Sequence, residues 1–201
     1  MHYRNLENKS ITEQQATLQE SYLKVVVDLV TNLDKTIYQY KNGNLQSIQY
    51  YIEDSEDINV KINELKEIIP LFNLISISTI NEHSAETIYD YANDILHFKT
   101  RFLLDKNGHL LCEEVIDINS NLPVIEESKK YLYNENGEEI LMAEYKADGD
   151  LAIITYKPEG NSSWQNDWEY YEASTIVELE QKICMNLSYY LNADLESNLN
   201  G

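Results

Sequence analysis

The stretch that constrains the fold most is residues 131–156, YLYNENGEEILMAEYKADGDLAIITY, in which three apolar runs are separated by two short polar turns. Asn136-Gly137 and Asp148-Gly149 supply residues that accept positive φ angles, as two-residue hairpin turns require. The aromatic, β-branched and aliphatic residues on either side favour strands. The stretch therefore predicts three consecutive antiparallel strands, and the remaining strands are expected to extend the same sheet.

Helical spacing is strongest near the two ends of the chain. At the N-terminal end, Ser10 and Glu13 fit a capping box, and apolar residues follow at helical spacing, which predicts a helix over about residues 11–33. At the C-terminal end, Thr175 and Glu178 form a second such pair, which predicts a helix over about residues 175–191. The apolar residues of the N-terminal pattern are Leu18, Tyr22, Val25, Val26, Leu29, Val30 and Leu33.

Between these helices, strand and turn signals alternate. They predict a hairpin over residues 36–52, a short amphipathic helix over 60–69 that Pro70 ends, and strands at 71–80, 87–91, 95–104 and 109–118. With 201 residues and 43% hydrophobic content, the chain can bury a core as one domain, residues 1–201. The predicted fold class is α+β: an antiparallel β-meander over about residues 36–156, with an N-terminal and a C-terminal helix packed against it.

The charge balance narrows the choice of partner. There are 35 acidic against 15 basic residues, giving a formal charge of −20, of which −13 lies in residues 101–201. A field of that sign repels nucleic acid and anionic lipid and attracts basic proteins. No run approaches 18 apolar residues, so we expect a cytoplasmic protein that binds neither nucleic acid nor membrane.

The motifs of common enzymes are missing from the sequence. There is no Gly-x-Ser-x-Gly elbow, Walker loop or Gly-x-Gly-x-x-Gly, and the four histidines are scattered. Asp105-x-Asn107-Gly108 resembles part of a calcium loop but is explained by ordinary turn chemistry. Cys112 and Cys184 fall in different predicted elements and are expected to be free and buried. We therefore expect no catalytic activity, no cofactor and no metal.

Acidic and aromatic side chains are interleaved between Pro158 and Gln181, where Lys and Arg are absent. Rings can supply buried anchors at an interface while carboxylates pair with a partner's cations. A second span without lysine, residues 109–128, adds further acids. The predicted partner-binding residues are Trp164, Asp167, Trp168, Glu169, Tyr170, Glu172, Glu113, Glu114 and Asp117. Alternatively, these rings cover the sheet and the acids form a solvated coat.

Two local patterns and the overall type suggest a family resemblance. Residues 131–137 and 145–151, YLYNENG and YKADGDL, resemble the tyrosine-and-glycine hairpin repeats of YD-type and antitoxin repeat proteins. A small, acidic α+β protein with tyrosine-rich strands also resembles the immunity proteins that accompany bacterial polymorphic toxins. That resemblance implies a one-to-one complex in which the acidic face occludes a basic toxin domain, commonly a nuclease.

Two other function classes stay open from the sequence. The first is a ligand-binding or scaffolding module that uses a pocket lined by Tyr38, Tyr40, Tyr131 and Tyr133. The second is an enzyme of unknown type, which would need a cleft with convergent carboxylates of perturbed pKa.

Overall fold

The computed structural model describes residues 1–158 and 168–194. Strands dominate this part of the chain, which also contains three short α-helices. The strands are β1 (His2–Arg4), β2 (Ser10–Ile11), β3 (Ser21–Val27), β4 (Asp34–Lys41), β5 (Asn44–Ile52), β6 (Leu71–Ile80), β7 (His83–Ala92), β8 (Ile95–Leu104), β9 (Leu110–Val115), β10 (Lys129–Tyr133), β11 (Glu139–Tyr145), β12 (Leu151–Tyr156) and β13 (Glu169–Tyr171). The helices are α1 (Glu13–Thr17), α2 (Ile58–Lys66) and α3 (Ile176–Ile183).

The strands are hydrogen-bonded in the order β13-β12-β11-β10-β9-β8-β7-β6-β5-β4-β3-β1-β2. Pairs such as β4–β5, β10–β11 and β11–β12 are antiparallel, as predicted. The α+β class is therefore confirmed at this level. An uninterrupted meander is not found, because β5 and β6 pair in parallel and α2 connects them, as the crossover between parallel strands requires.

The predicted N-terminal helix over residues 11–33 is wrong. A capping box is present, but Thr12 and Gln15 form it, and the helix that it starts ends after five residues. The next residues form β3, which pairs with β4 on one side and β1 on the other. Three consecutive valines, Val25 to Val27, suit a strand better than a helix, and strand pairing on both sides outweighed the helical spacing of the apolar residues.

The hairpins lie where the turn residues predict them, but two kinds of turn occur. Asn42 and Gly43 both have positive φ, 51° and 74°, and form the two-residue loop between β4 and β5. In the meander, only Gly137 and Gly149 have positive φ. Each donates its N–H to the carbonyl of the residue three positions earlier, Asn134 and Lys146 respectively. These loops are type I turns followed by a glycine bulge, so the two-residue turns expected there are replaced by longer ones.

The chain separates into two compact units, each with its own core. Unit 1 comprises residues 1–77 and 87–99, and unit 2 comprises residues 78–86 and 100–201. The core of unit 1 joins α2 to strands β5 and β6 through Ile48, Tyr50, Leu65, Ile69, Phe72 and Leu74. A core of unit 2 joins α3 to β11 and β12 through Leu141, Ala143, Ile154, Ile176 and Leu179, with Tyr145, Leu151, Tyr156, Leu187, Tyr190 and Ala193.

The C-terminal helix starts as predicted but is shorter than residues 175–191. It ends at Ile183 because Cys184 adopts a left-handed conformation, φ 55°. Thr175 does not cap the helix through its side chain, which instead donates to the carbonyl of Glu172. No helix in the described residues is both long and apolar enough to cross a membrane.

A buried lysine holds the segment that follows α3. Lys130 on β10 is fully buried, and its Nζ donates hydrogen bonds to the backbone carbonyls of Tyr189, at 2.8 Å, and Asp194, at 2.7 Å. The ammonium group also lies 3.8 Å from the centre of the Tyr189 ring. Burial lowers the pKa of Lys130 to about 8. The side chain therefore ties the C-terminal segment of unit 2 to the sheet.

Candidate protein-binding surfaces

A tightly built loop, residues 28–33, connects β3 to β4 in unit 1, and we call it the Asp28 loop. The Asp28 carboxylate accepts hydrogen bonds from the backbone N–H of Val30 at 2.9 Å and of Thr31 at 2.7 Å, and from the Thr31 hydroxyl at 3.0 Å. The backbone hydrogen bonds from Thr31 and Val30 lower the pKa of Asp28. Asn32, with φ 57°, closes the loop. The loop therefore has a fixed conformation that holds its tip away from the core.

The tip of the Asp28 loop presents apolar side chains to solvent. Leu29 and Val30 are 94% and 93% exposed, and Leu33 at the base of the loop is 67% exposed. Single exposed apolar residues are common, but adjacent ones on an ordered loop form a patch of the kind found at interaction sites. The helical prediction had assigned these residues to a buried face, so the structure reverses their expected role.

The base of the Asp28 loop forms one wall of a cleft of about 850 Å³ within unit 1. The end of β5 and the turn after it form another wall, and Ile77 of β6 contributes an apolar side chain. Carboxylates outnumber cations in the lining by four to two. The charged lining residues are Asp28, Asp34, Glu53, Asp54, Arg4 and Lys35, and the apolar ones are Leu33, Tyr51, Ile52 and Ile77.

Both cations of the cleft are already paired with carboxylates of the same unit. Arg4 binds Asp34 in a bidentate pair, with N···O distances of 2.6 and 2.9 Å. The Lys35 Nζ contacts Glu53 at 2.7 Å and Glu56 at 2.5 Å. Burial opposes the charge on Glu56, but hydrogen bonds from Lys35 and the Tyr50 hydroxyl outweigh it and lower the Glu56 pKa to about 2. These pairs leave the exposed Asp54 as a carboxylate that a partner's cation can reach.

The acidic aromatic segment predicted from the sequence lies partly outside the described residues, which include neither Trp164 nor Asp167. Trp168 is half-buried, and Glu169 on β13 accepts hydrogen bonds from Lys182 at 2.5 and 2.6 Å. These hydrogen bonds, with one from the Tyr171 hydroxyl, lower the Glu169 pKa. Of this group, Tyr170 is 66% exposed and Glu172 is exposed. Glu169 thus joins β13 to α3, and Tyr170 and Glu172 are the two exposed residues among the predicted partner-binding residues described in this segment.

In the second predicted acidic span, Glu113 and Glu114 are engaged inside unit 2, whereas Glu126 and Glu127 are exposed. Glu113 and Glu114 are neighbours on β9 and point to opposite faces of the sheet. Glu113 accepts a hydrogen bond from Tyr131 at 3.1 Å, whereas Glu114 is only 2% exposed and pairs with Arg101 at 2.5 Å. Burial raises the pKa of Glu114 against the opposing effect of Arg101. Glu113 and Glu114 therefore contribute little to an open surface.

Asp117 and Asp28 share a local structure that the sequence analysis missed. The Asp117 carboxylate accepts hydrogen bonds from the backbone N–H and the hydroxyl of Ser120, both at 2.7 Å, and Asn121 closes the loop with φ 59°. We call residues 117–122 the Asp117 loop. The segments VDLVTNL (27–33) and IDINSNL (116–122) share Asp, a hydroxyl residue, Asn and Leu at matching positions. Aligning the two segments would have predicted a loop, not a helix, at residues 28–33.

The four tyrosines proposed to line a ligand pocket instead pack within their own units. Tyr40 stacks on Tyr22, with ring centres 5.0 Å apart, and Tyr38 packs against the unit 1 core. In unit 2, Tyr131 is buried, and Tyr133 stacks on His109 at 4.8 Å.

Within residues 1–158 and 168–194, no group of three or more His, Cys, Asp or Glu side chains is arranged to hold a metal ion. In comparisons with known proteins, the sequence matches no family model and no curated protein. The partly apolar cleft of unit 1, with its excess of carboxylates, is the candidate site.

Proposed function

We propose that this protein is an immunity protein that binds and occludes a basic toxin domain, with a nuclease as the favoured class. The observation that carries the proposal is the charge of −20 on a chain of 201 residues. A small soluble domain needs a net charge of only about 2 to 8 in magnitude to stay dispersed. The negative charge beyond that amount is well suited to recognising a strongly basic surface.

Internal ion pairing supports this interpretation because it engages many of the cations. Arg4, Lys35, Arg101 and Lys182 are each paired with a carboxylate of the chain. Acids such as Asp54, Glu126 and Glu172 remain exposed. A partner that supplies lysines and arginines would find carboxylates that need not first be separated from an internal cation.

The mechanism is occlusion without catalysis by the immunity protein. A nuclease binds phosphates through a basic surface, and an array of carboxylates can occupy that surface in place of the substrate. Complementary fields increase association rates by about 10- to 1,000-fold, which suits a protein that must capture a toxin before it acts. No substrate, cofactor or metal is needed for this role.

Affinity capture from the native host, with the tagged wild-type chain at 50 and 300 mM NaCl, tests the proposal. We expect one small basic protein at low salt, with an association rate that falls as salt rises and a one-to-one mass by native mass spectrometry. The captured protein should be toxic when expressed alone and lose its activity when the complex forms. Capture of an acidic protein, or of a basic protein whose activity is unchanged in the complex, would contradict the function.

A further inference from the structure

We infer that the cleft of unit 1 and the Asp28 loop form a docking surface for a basic, partly apolar segment of a protein partner. The segment would place a leucine-sized side chain against the loop, with lysine or arginine residues beside it. This inference rests on the proposed function, since it assigns the partner's contact to one surface. It departs from the expectation that residues after Pro158 make the main contact.

The charges of the cleft define which partner fits. Arg4 is paired with Asp34, and Lys35 is paired with Glu53 and Glu56. Neither cation is therefore free to attract an acidic ligand. Asp54 is exposed beside these pairs. The lining therefore has a carboxylate excess, which favours a lysine or arginine and disfavours phosphate or carboxylate ligands.

The apolar side chains of the surface also select the partner, because they favour a segment with an apolar side chain of its own. Leu29 and Val30 are almost fully exposed at the loop tip, and Leu33 and Ile77 lie along the cleft at 67% and 48% exposure. The hydrogen bonds to Asp28 fix the loop before any partner binds, so little conformational entropy is lost on docking. A leucine-sized side chain held in the cleft against Leu33 and Ile77 would act as the anchor of the interface, and Leu29 and Val30 of the same loop would add apolar contact outside the cleft.

Two other occupants are less compatible with the surface. A second copy of the chain would bring another charge of −20 against a cleft that is already acidic. An anionic membrane would be repelled in the same way. A segment of another protein that carries both apolar and basic side chains can contact the apolar tip of the Asp28 loop and pair with the carboxylates of the cleft.

A peptide assay with four variants tests the inference on the full-length protein. The probe is a fluorescein-labelled hexapeptide of lysine and leucine, KLKKLK, and its comparison peptide is KSKKSK; binding is measured by fluorescence anisotropy at 50 and 300 mM NaCl. We expect KLKKLK to bind more tightly, and the double variant Leu29→Ser/Val30→Ser to weaken its binding about tenfold. Asp54→Lys should weaken it about three- to tenfold, with a smaller effect at 300 mM NaCl.

Unit 2 provides matched controls. The double variant Ile118→Ser/Leu122→Ser removes exposed apolar side chains from the Asp117 loop, where they are 41% and 64% exposed. Glu126→Lys reverses an exposed acid in the same unit. Both control variants should retain the wild-type affinity for KLKKLK, and circular dichroism should show that all four variants keep their strand content.

Several results would overturn the inference. In the peptide assay, these are equal affinity for the two peptides, wild-type affinity in the Leu29→Ser/Val30→Ser variant, or an equal loss of affinity in the unit 2 controls. A wild-type dimer that the Leu29→Ser/Val30→Ser variant converts to a monomer would show that a second copy occupies the surface. Binding to phosphatidylcholine vesicles that depends on the Asp28 loop would show that a membrane does. If the captured toxin binds the loop variant as tightly as the wild type, the surface is wrong although the function stands. If capture finds no basic partner, the proposed immunity function is wrong. The peptide assay still tests whether the cleft and the Asp28 loop bind a basic, partly apolar segment.

Discussion

At the scale of single residues, the most unusual environment belongs to Lys130. A buried ammonium group is costly unless its hydrogen bonds are satisfied, and here two backbone carbonyls, of Tyr189 and Asp194, accept them. The negative charges of Asp194 and Glu114 favour the protonated lysine, but burial outweighs them and lowers the pKa of Lys130 to about 8. Lys130 thus fixes the end of the chain at an electrostatic cost.

That cost predicts a specific pH dependence. Between pH 8 and about 10, the unfolded chain keeps a proton on Lys130 that the folded chain has lost, so this residue's contribution to the free energy of unfolding increases with pH. We expect the difference obtained by subtracting the free energy of unfolding of Lys130→Met from that of the wild type to rise by about 2 kcal/mol from pH 7 to pH 9.5 in urea denaturation. Lys146→Met, which removes an exposed lysine, should show no such growth. A difference that is flat or shrinks with pH would contradict this account of Lys130.

At the scale of elements, the Asp28 loop depends on a left-handed residue at its end. Asn32 has φ 57°, a conformation that costs most residues about 1 kcal/mol and glycine almost nothing. We therefore expect Asn32→Ala to lower the free energy of unfolding by about 1 kcal/mol and Asn32→Gly to leave it nearly unchanged. Asn63→Ala, at an exposed position of α2, serves as the control and should stabilise slightly. Equal losses for Asn32→Ala and Asn32→Gly would show that the asparagine side chain matters more than its backbone angle.

Local signals predicted the elements well wherever one turn residue decides the outcome. Pro70 follows α2 closely, and the glycines at 43, 137 and 149 mark the hairpins. The N-terminal region failed because its apolar residues satisfy a helical period while its valines satisfy a strand, and only pairing with distant strands decides between them. The parallel pair β5–β6 was missed for the same reason, since pairing direction is a long-range property.

The candidate site was less predictable than the fold. Acidic and aromatic composition pointed to Glu114 and Glu169, yet Arg101 and Lys182 approach them from other elements and engage both carboxylates. Composition reports how many charges a segment carries and says nothing of which ones its neighbours neutralise. The exposed Leu29 and Val30 were hidden by the incorrect helix, although the recurrence of the same pattern at residues 116–122 was available in the sequence.

At the scale of the whole molecule, the excess of acidic residues should itself reduce stability. Like charges repel more strongly in the folded chain than in the expanded unfolded one, and the net charge is −20. Raising NaCl from 50 to 500 mM should increase the free energy of unfolding in urea by about 1 kcal/mol or more, because the Debye length falls well below 10 Å. Screening also weakens exposed ion pairs, each worth about 0 to 1 kcal/mol. A net decrease in stability with salt would mean that these pairs outweigh the repulsion.

The two cysteines differ in a way that has a practical consequence. Cys112 is buried, and burial raises its thiol pKa to about 12, whereas Cys184 is exposed at the end of α3. Since these are the chain's two cysteines, a maleimide dye at neutral pH should attach selectively at Cys184 in unit 2. The chain can therefore carry a single fluorophore without an engineered thiol, leaving every residue of the unit 1 cleft chemically unaltered for single-molecule measurements of partner binding.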